Sequence, residues 1–114
     1  MSFPKRGDIY WTRFDPVVGS EQGGTRPAVV LQNDVGNRFS PAVIVAALTS
    51  QFPRKRYPFL AELPPGTTPR PSLVNGCQIR TVDKSRLSGE PIGSLDADTM
   101  RAVDEALRAS LGLY

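Results

Sequence analysis

Short β-branched runs, separated by proline and glycine, dominate the hydrophobic pattern of this chain. Runs of this kind between turn-forming residues are typical of a small β-rich domain. The pattern predicts strands near residues 8–13, 28–32, 43–49, 59–62 and 73–78, and a sixth short strand around 80–82. We therefore expect a mainly β fold, with the strands arranged as a small, twisted, partly closed antiparallel barrel.

The end of the chain is the one segment with clear helical periodicity. Its apolar residues fall on one stripe at helical spacing: Met100, Val103, Leu107 and Leu111. Ser94 or Asp96 is suited to cap the start of this helix, and Gly112 is suited to end it. Such a stripe is more often buried in a core than exposed in an interface, so we expect a C-terminal helix that packs on the sheet.

The length of 114 residues allows one hydrophobic core, so residues 1–114 are expected to form a single domain. The longest apolar run, residues 42–48, is far shorter than the roughly 20 residues of a spanning helix, and no signal peptide is recognisable. Cys77 is the only cysteine and cannot form an internal disulfide; its neighbours Gly76 and Gln78 suggest a small buried side chain. We expect a cytoplasmic protein without membrane association.

Two features of the composition limit the chemistry. The chain has no histidine, which removes the usual general acid–base, and with a single cysteine it lacks the usual ligands of zinc, iron and copper. We therefore expect no metal and no cofactor, with any chemistry left to arginine, lysine, hydroxyl and carboxylate side chains. The net charge of +3 permits a polyanionic partner without requiring one.

A polar, glycine-rich loop precedes the second predicted strand. Gly19 and Gly24 have the spacing of a P-loop, but Thr25 and Arg26 stand where lysine followed by serine or threonine is required, and a strand follows instead of a helix. This excludes an NTPase. Two interpretations stay open: a hairpin loop whose glycines supply positive φ, or a site where Arg26, fixed beside Pro27, binds one phosphate with two hydrogen bonds.

Three other polar segments are weaker candidates. Thr49, Ser50 and Gln51 end a buried strand, where satisfying turn amides is the commoner role of a lone threonine. The basic segment 54–56 is either a solvated loop or a source of phosphate attraction. The segment 78–81 contains Gln78, Arg80 and Thr81, whose side chains offer donors and acceptors suited to bases or phosphates. Polar triplets of this kind are common, so the signal is weak.

Taken in order, segments along nearly the whole chain resemble the MazF/PemK family of bacterial toxins. The matching segments are KRGDIY at 5–10, DPVVGSEQGGTRP at 15–27, QND at 32–34, NR at 37–38, AALTSQ at 46–51, QIRTVDKSRL at 78–87 and VDEAL at 103–107. The resemblance implies a homodimer with an SH3-like barrel, shared with the CcdB gyrase poisons. It also implies cleavage of single-stranded RNA at short sequences, leaving a 2′,3′-cyclic phosphate and a 5′-hydroxyl, and inhibition by a MazE-like antitoxin.

Site residues carry over from this resemblance by position. The catalytic arginine of the MazF branch falls on Arg26 and its catalytic threonine on Thr49. The RNA contacts implied in the same way are Ser20, Glu21, Gln22, Gln51, Gln78 and Arg80, and no metal ligand is implied. The PemK/Kid branch differs, because its histidine, arginine and aspartate fall on Ser20, Asn75 and Cys77. An aspartate acting as base, as in that branch, is therefore not expected here.

Two other functions remain compatible with the sequence. One is a CcdB-like gyrase poison on the same fold, although those proteins end in Trp-Gly-Ile and this chain ends in Leu-Gly-Leu-Tyr at 111–114. The other is an RNA-binding module that has the contacts but does not cleave. Cleavage of RNA in vitro separates both from an endoribonuclease.

Overall fold

The computed structural model describes residues 3–20 and 23–113. Its strands are β1 (Asp8–Arg13), β2 (Thr25–Val30), β3 (Ala42–Thr49), β4 (Leu60–Glu62), β5 (Leu73–Asp83) and β6 (Leu87–Ser94). Its helices are α1 (Asp34–Phe39) and α2 (Ala97–Leu111), with a 3₁₀ turn at Lys84–Arg86. The strands form one antiparallel sheet in the order β4-β5-β3-β2-β1-β6. The predicted mainly β fold with a C-terminal helix is confirmed.

Apolar side chains are buried on both faces of the sheet, which explains the continuous apolar runs at 28–30 and 42–48. Successive side chains of a strand point to opposite faces, so β1, β2, β3 and β5 each contribute to two clusters. The cluster under α2 includes Ile9, Val29, Ala46, Val74, Val103 and Ala106. The cluster on the other face includes Tyr10, Phe14, Ala28, Val30, Val45 and Val82.

The sheet curls so that its two edges approach each other. The segment that follows β4 runs past β6, where a Cβ atom added to Gly93 would lie 3.6 Å from the carbonyl oxygen of Thr67. A Cβ atom at this position would make ordinary van der Waals contact, so the segment lies directly against β6. The arrangement matches the partly closed barrel expected from the sequence.

Both ends of α2 are fixed by the residues predicted for them. The carboxylate of Asp96 accepts a hydrogen bond of 2.7 Å from the amide of Thr99, and this bond holds the pKa of Asp96 below its usual value. Asp96, and not Ser94, is therefore the N-cap. Gly112 ends the helix in the left-handed conformation, with φ of 68°.

The apolar stripe of α2 is core over most of its length. Val103 is fully buried, and Met100 and Leu107 pack against the cluster beneath the helix. Leu111, the last residue of the predicted stripe, is instead exposed over 58% of its surface. In the same turn Ser110 donates a hydrogen bond to the carbonyl oxygen of Gly76 on β5, but the Leu111 side chain faces solvent, so the prediction that Leu111 belongs to the core is wrong.

Four elements differ from the predictions. β5 is one strand where two short ones were predicted, and β2 begins at Thr25 instead of residue 28. The helix α1 and the strand β6 were not predicted. β6 contains two glycines and a proline, which favour turns in sequence analysis, but an edge strand that pairs only with β1 tolerates them. Among the described residues, no helix is long and apolar enough to cross a membrane.

Candidate active site

A cavity of about 680 Å³ opens where β2 begins and β3 ends. The predicted site residues that line it are Ser20, Arg26, Thr49 and Gln51, and Trp11 and Arg70 line it from neighbouring segments. Both predicted catalytic residues and two predicted RNA contacts therefore come together. Glu21 and Gln22 lie outside the described residues.

The register of the sheet explains why Arg26 and Thr49 meet. β2 and β3 are antiparallel, and their ladder pairs Ala28 with Ala47 as its last pair at this end. Arg26 lies two residues before Ala28, and Thr49 two residues after Ala47. On its other side, β2 stays paired with β1, where Arg26 is opposite Thr12. Both candidate residues thus lie on strands at the mouth of the cavity.

The guanidinium group of Arg26 is oriented by one backbone contact. Its Nε donates a hydrogen bond of 2.9 Å to the carbonyl oxygen of Gly23, and the side chain is half-buried. A guanidinium carries five N–H donors, and the others lie on its two terminal nitrogens. The terminal nitrogens are therefore the ones suited to a phosphate bound in the cavity.

Thr49 has the turn role that the sequence favoured, and its geometry leaves the second role open. Its hydroxyl oxygen accepts a hydrogen bond of 3.1 Å from the amide of Gln51, which shapes the turn after β3. A hydroxyl that accepts one bond still has its own O–H to donate. Thr49 can therefore hold the turn and donate to an oxygen of a ligand in the same geometry.

The remaining predicted contacts, Gln78 and Arg80, line a second cavity of about 230 Å³, which shares Ser20 with the first. Arg80 is already engaged there: its Nη1 and Nη2 donate to the carbonyl oxygens of Phe14 and Pro16, at 2.6 Å and 3.2 Å. The structure thus places Gln78 and Arg80 beside the first cavity and not in its lining.

A third cavity of about 520 Å³ adjoins the first, because Thr49 and Gln51 line both. It is lined by three aromatic residues of the segment after β3: Phe52, Tyr57 and Phe59. The rings of Tyr57 and Phe59 stack at 5.1 Å with an angle of 6°. The basic run at 54–56 suggested only charge; the further signal in the sequence is that aromatic residues flank this run at 52, 57 and 59.

Cations lie over the aromatic rings of this segment. Lys55 Nζ is 5.5 Å from the centre of the Tyr57 ring, and the Arg56 guanidinium is 5.3 Å from the centre of the Phe52 ring. Arg56 also forms an ion pair of 2.5 Å with Glu62. Lys55 and Arg56 thereby cover aromatic rings, and the charge of Arg56 is balanced by Glu62.

Cys77 is exposed, so the prediction of a small buried side chain is wrong. It lies on β5, where its amide donates to the side-chain oxygen of Asn75 and its Sγ lies 3.6 Å from Ser110 Oγ. Within residues 3–20 and 23–113, no group of three or more histidine, cysteine, aspartate or glutamate side chains is arranged to hold a metal ion.

The fold is an antiparallel barrel with one C-terminal helix, and an arginine and a threonine lie at the mouth of an open cavity. The protein is therefore a small β-barrel protein with a candidate phosphate site. Comparison with known proteins identifies its family. The chain belongs to the family described as PemK-like, MazF-like toxin of type II toxin-antitoxin system, whose profile matches residues 5–111. The family predicted from the sequence is confirmed.

The relatives agree with this assignment over almost their whole length. The chain is 50% identical over 111 residues to Endoribonuclease EndoA of Bacillus subtilis, covering 96% of this chain and 95% of that protein. The crystal structure of MazF from Deinococcus radiodurans matches with a TM-score of 0.85 and 30% identity, covering 99% of this chain and 100% of that one. An endoribonuclease from a mycobacterial species, solved in complex with its cognate antitoxin, matches with a TM-score of 0.78 and 27% identity, covering 100% and 98%.

Proposed function

We propose that this toxin is a metal-independent endoribonuclease that acts in the cytoplasm on single-stranded RNA. The observation that carries the proposal is the meeting of Arg26 and Thr49 at one open cavity. Family membership and the 50% identity to a protein named Endoribonuclease EndoA support the same reaction class.

In the proposed reaction, the ribose 2′-oxygen forms a bond to the adjacent phosphorus while the bond from phosphorus to the 5′-oxygen breaks. The 2′-hydroxyl proton passes to a base, and the leaving 5′-oxygen takes up a proton. The products are a 2′,3′-cyclic phosphate and a 5′-hydroxyl. No cofactor enters this balance, and Glu21 and solvent are the two candidates for the base.

Arg26 and Thr49 act on the charge that develops in this reaction. Negative charge accumulates on the non-bridging oxygens, where preorganised donors stabilise the transition state. Arg26 suits this role because its guanidinium is permanently charged, planar and able to make two parallel hydrogen bonds. Thr49 donates to a non-bridging oxygen or orients the 2′-hydroxyl.

The adjoining cavities suit the nucleotides on either side of the cut. Ser20, Gln51 and Gln78 carry hydrogen-bonding groups for base edges, and Glu21 and Gln22 are proposed to join them. The aromatic cavity with Tyr57 suits unstacked bases, which single strands offer and duplexes do not. These features favour single-stranded RNA as the substrate.

Two partners complete the proposal. A chain of 12.4 kDa has little surface for a groove that holds several nucleotides, so a homodimer is proposed as the active unit. A MazE-like antitoxin is proposed as inhibitor, supported by the family and by the mycobacterial relative solved with its cognate antitoxin.

Incubation of a long single-stranded RNA with the protein in EDTA tests this proposal. Discrete cuts with 2′,3′-cyclic phosphate ends are expected. A mobility shift without cuts would instead indicate an RNA-binding module. The absence of both cuts and a mobility shift would favour a CcdB-like gyrase poison, which a DNA gyrase supercoiling assay would detect.

A further inference from the structure

We infer that Arg80 and Arg86 are positioning residues that fix the loop before β2 and, through it, the guanidinium of Arg26. The contacts of these arginines are with the loop base, defined as residues 13–16 and 23–24. The catalytic consequence rests on the proposed endoribonuclease function. The inference replaces a direct RNA contact by Arg80, which the sequence suggested.

Arg80 binds the start of the loop from across the sheet. Its Nη1 donates to the carbonyl oxygen of Phe14 at 2.6 Å and its Nη2 to that of Pro16 at 3.2 Å. The guanidinium also lies 5.7 Å from the centre of the buried Phe14 ring. Hydrogen bonds from a charged donor are stronger than neutral ones, so these contacts hold the backbone firmly.

Arg86, in the 3₁₀ turn after β5, binds the carbonyl groups that Arg80 leaves. Its Nη1 donates to the carbonyl oxygens of Asp15 at 2.5 Å and of Arg13 at 3.2 Å. Two arginines therefore bind four consecutive carbonyl groups, and each comes from a segment more than 60 residues away.

A second set of bonds carries this restraint to Arg26. The amide of Phe14 donates to the carbonyl oxygen of Gly24, and the amide of Gly24 donates to Asp15 Oδ1, each at 2.9 Å. The carbonyl oxygen of Gly23, the residue before Gly24, accepts the bond from Arg26 Nε. The hydrogen bonds and the Gly23–Gly24 backbone thus link Arg80 and Arg86 to the guanidinium that the reaction uses.

The two segments of the loop base are closely packed at Gly23. A Cβ atom added to Gly23 would lie 2.8 Å from Asp15 Oδ1 and 2.8 Å from Val17 Cγ2. A displacement of the Asp15 backbone is therefore transmitted to Gly23 and Gly24. Since a misplacement of about 1 Å can slow an enzyme by about 10²-fold, loss of the two arginines should be felt at Arg26.

The test compares Arg80→Met and Arg86→Met with Arg101→Met, an exposed arginine on α2 that pairs with Asp98. In RNA-free protein, hydrogen exchange at the amides of Phe14 and Gly24 should accelerate in the first two variants and not in the control. This measurement does not depend on RNA cleavage. Unchanged exchange at both amides would overturn the positioning role of Arg80 and Arg86 even if the wild type proves to be an endoribonuclease.

Kinetics then test the catalytic consequence. We expect kcat to fall by about 10- to 100-fold in both variants, with the Kd for RNA and its salt dependence unchanged. In an Arg26→Ala background, Arg80→Met should add no further loss, because it acts through Arg26. Additive losses, or a salt slope smaller by about 1, would show a direct phosphate contact and overturn the inference.

Two controls keep the outcomes distinct. If Arg80→Met fails to fold, Arg80→Lys retains the charge without the planar fork and should give the same exchange and kinetic effects, with Arg86→Met as the independent arm. If the wild type does not cut RNA, the proposed function fails, and the exchange measurement alone decides whether Arg80 and Arg86 hold the loop base.

Discussion

Arg26 and Thr49 lie on neighbouring antiparallel strands, each two residues beyond the Ala28–Ala47 pair. Their relative position is therefore set by the β2–β3 ladder and not by a loop. The ladder ends at that pair, and the two side chains line the cavity that opens beyond it. Sites built on strands hold their geometry better than sites on loops, and here a loop bond adjusts only the guanidinium of Arg26.

Gly23→Ala should damage the site while leaving most of the fold intact. Its new Cβ atom meets Asp15 Oδ1 and Val17 Cγ2 at 2.8 Å, so one of these side chains or the loop base must shift. Crowding of this kind costs about 1–3 kcal/mol, and the displaced Arg26 should lower kcat by about 10-fold or more. Thermal unfolding and single-turnover cleavage measure the two effects.

Gly36→Ala is the matched control for this substitution. Its Cβ atom would also be crowded, at 3.0 Å from the side chain of Gln32, but on α1, which does not line the cavity. Equal losses of kcat in the two variants would contradict a specific role of Gly23.

The proposed reaction requires a 2′-hydroxyl at the cut. A substrate with a single 2′-deoxyribose there should bind with unchanged Kd and not be cut, because the attacking oxygen is absent. Duplex RNA should resist as well, since its bases are stacked and paired. Gel analysis of end-labelled substrates measures both, and cleavage of the 2′-deoxy substrate would exclude attack by the 2′-hydroxyl.

The strands and helices that the sequence predicts correctly are those marked by a pattern within the segment itself. β1, β3 and β4 are close to their predicted bounds because apolar runs between turn residues mark them. α1 was missed although Asn33 caps it, accepting a bond of 2.8 Å from Gly36, because a helix of six residues has no recognisable period. β6 was missed because an edge strand needs few apolar residues.

The geometry of the candidate site depends on contacts between segments that are distant in the sequence, which local patterns do not predict. The assignment of Arg26 and Thr49 came from a resemblance, and their meeting follows from a register that no local pattern contains. Arg80 was predicted as an RNA contact, but its guanidinium binds carbonyl groups 64 and 66 residues away. Bonds to backbone carbonyls leave no trace in the sequence, because every residue carries one.

The active unit should be a homodimer. Light scattering at micromolar concentration should give twice the 12.4 kDa of one chain, because one copy offers too little surface for a groove that holds several nucleotides. Sedimentation under assay conditions provides the control. Full cleavage by a protein that stays monomeric would contradict a dimeric active unit.

Inhibition by the antitoxin should depend on acidic residues in a flexible tail. The tail would cover the positive surface at Arg26, Arg54 and Lys55, while apolar anchors offset the cost of ordering it. Added salt should slow association more than it speeds dissociation. A synthetic tail and its acidic-to-neutral variant, compared in cleavage and stopped-flow assays, test this; equal inhibition by both peptides would mean that charge does not drive binding.

The central claim is that Arg26 stabilises the transition state of RNA cleavage at this cavity. The most direct test is the single-turnover cleavage rate of Arg26→Ala in EDTA, beside the wild type and Arg101→Ala, with circular dichroism to verify folding. We predict a loss of at least about 10²-fold for a folded Arg26→Ala protein, as for removal of a preorganised oxyanion donor, and no loss for Arg101→Ala. A folded Arg26→Ala protein that cuts at nearly the wild-type rate would contradict the account.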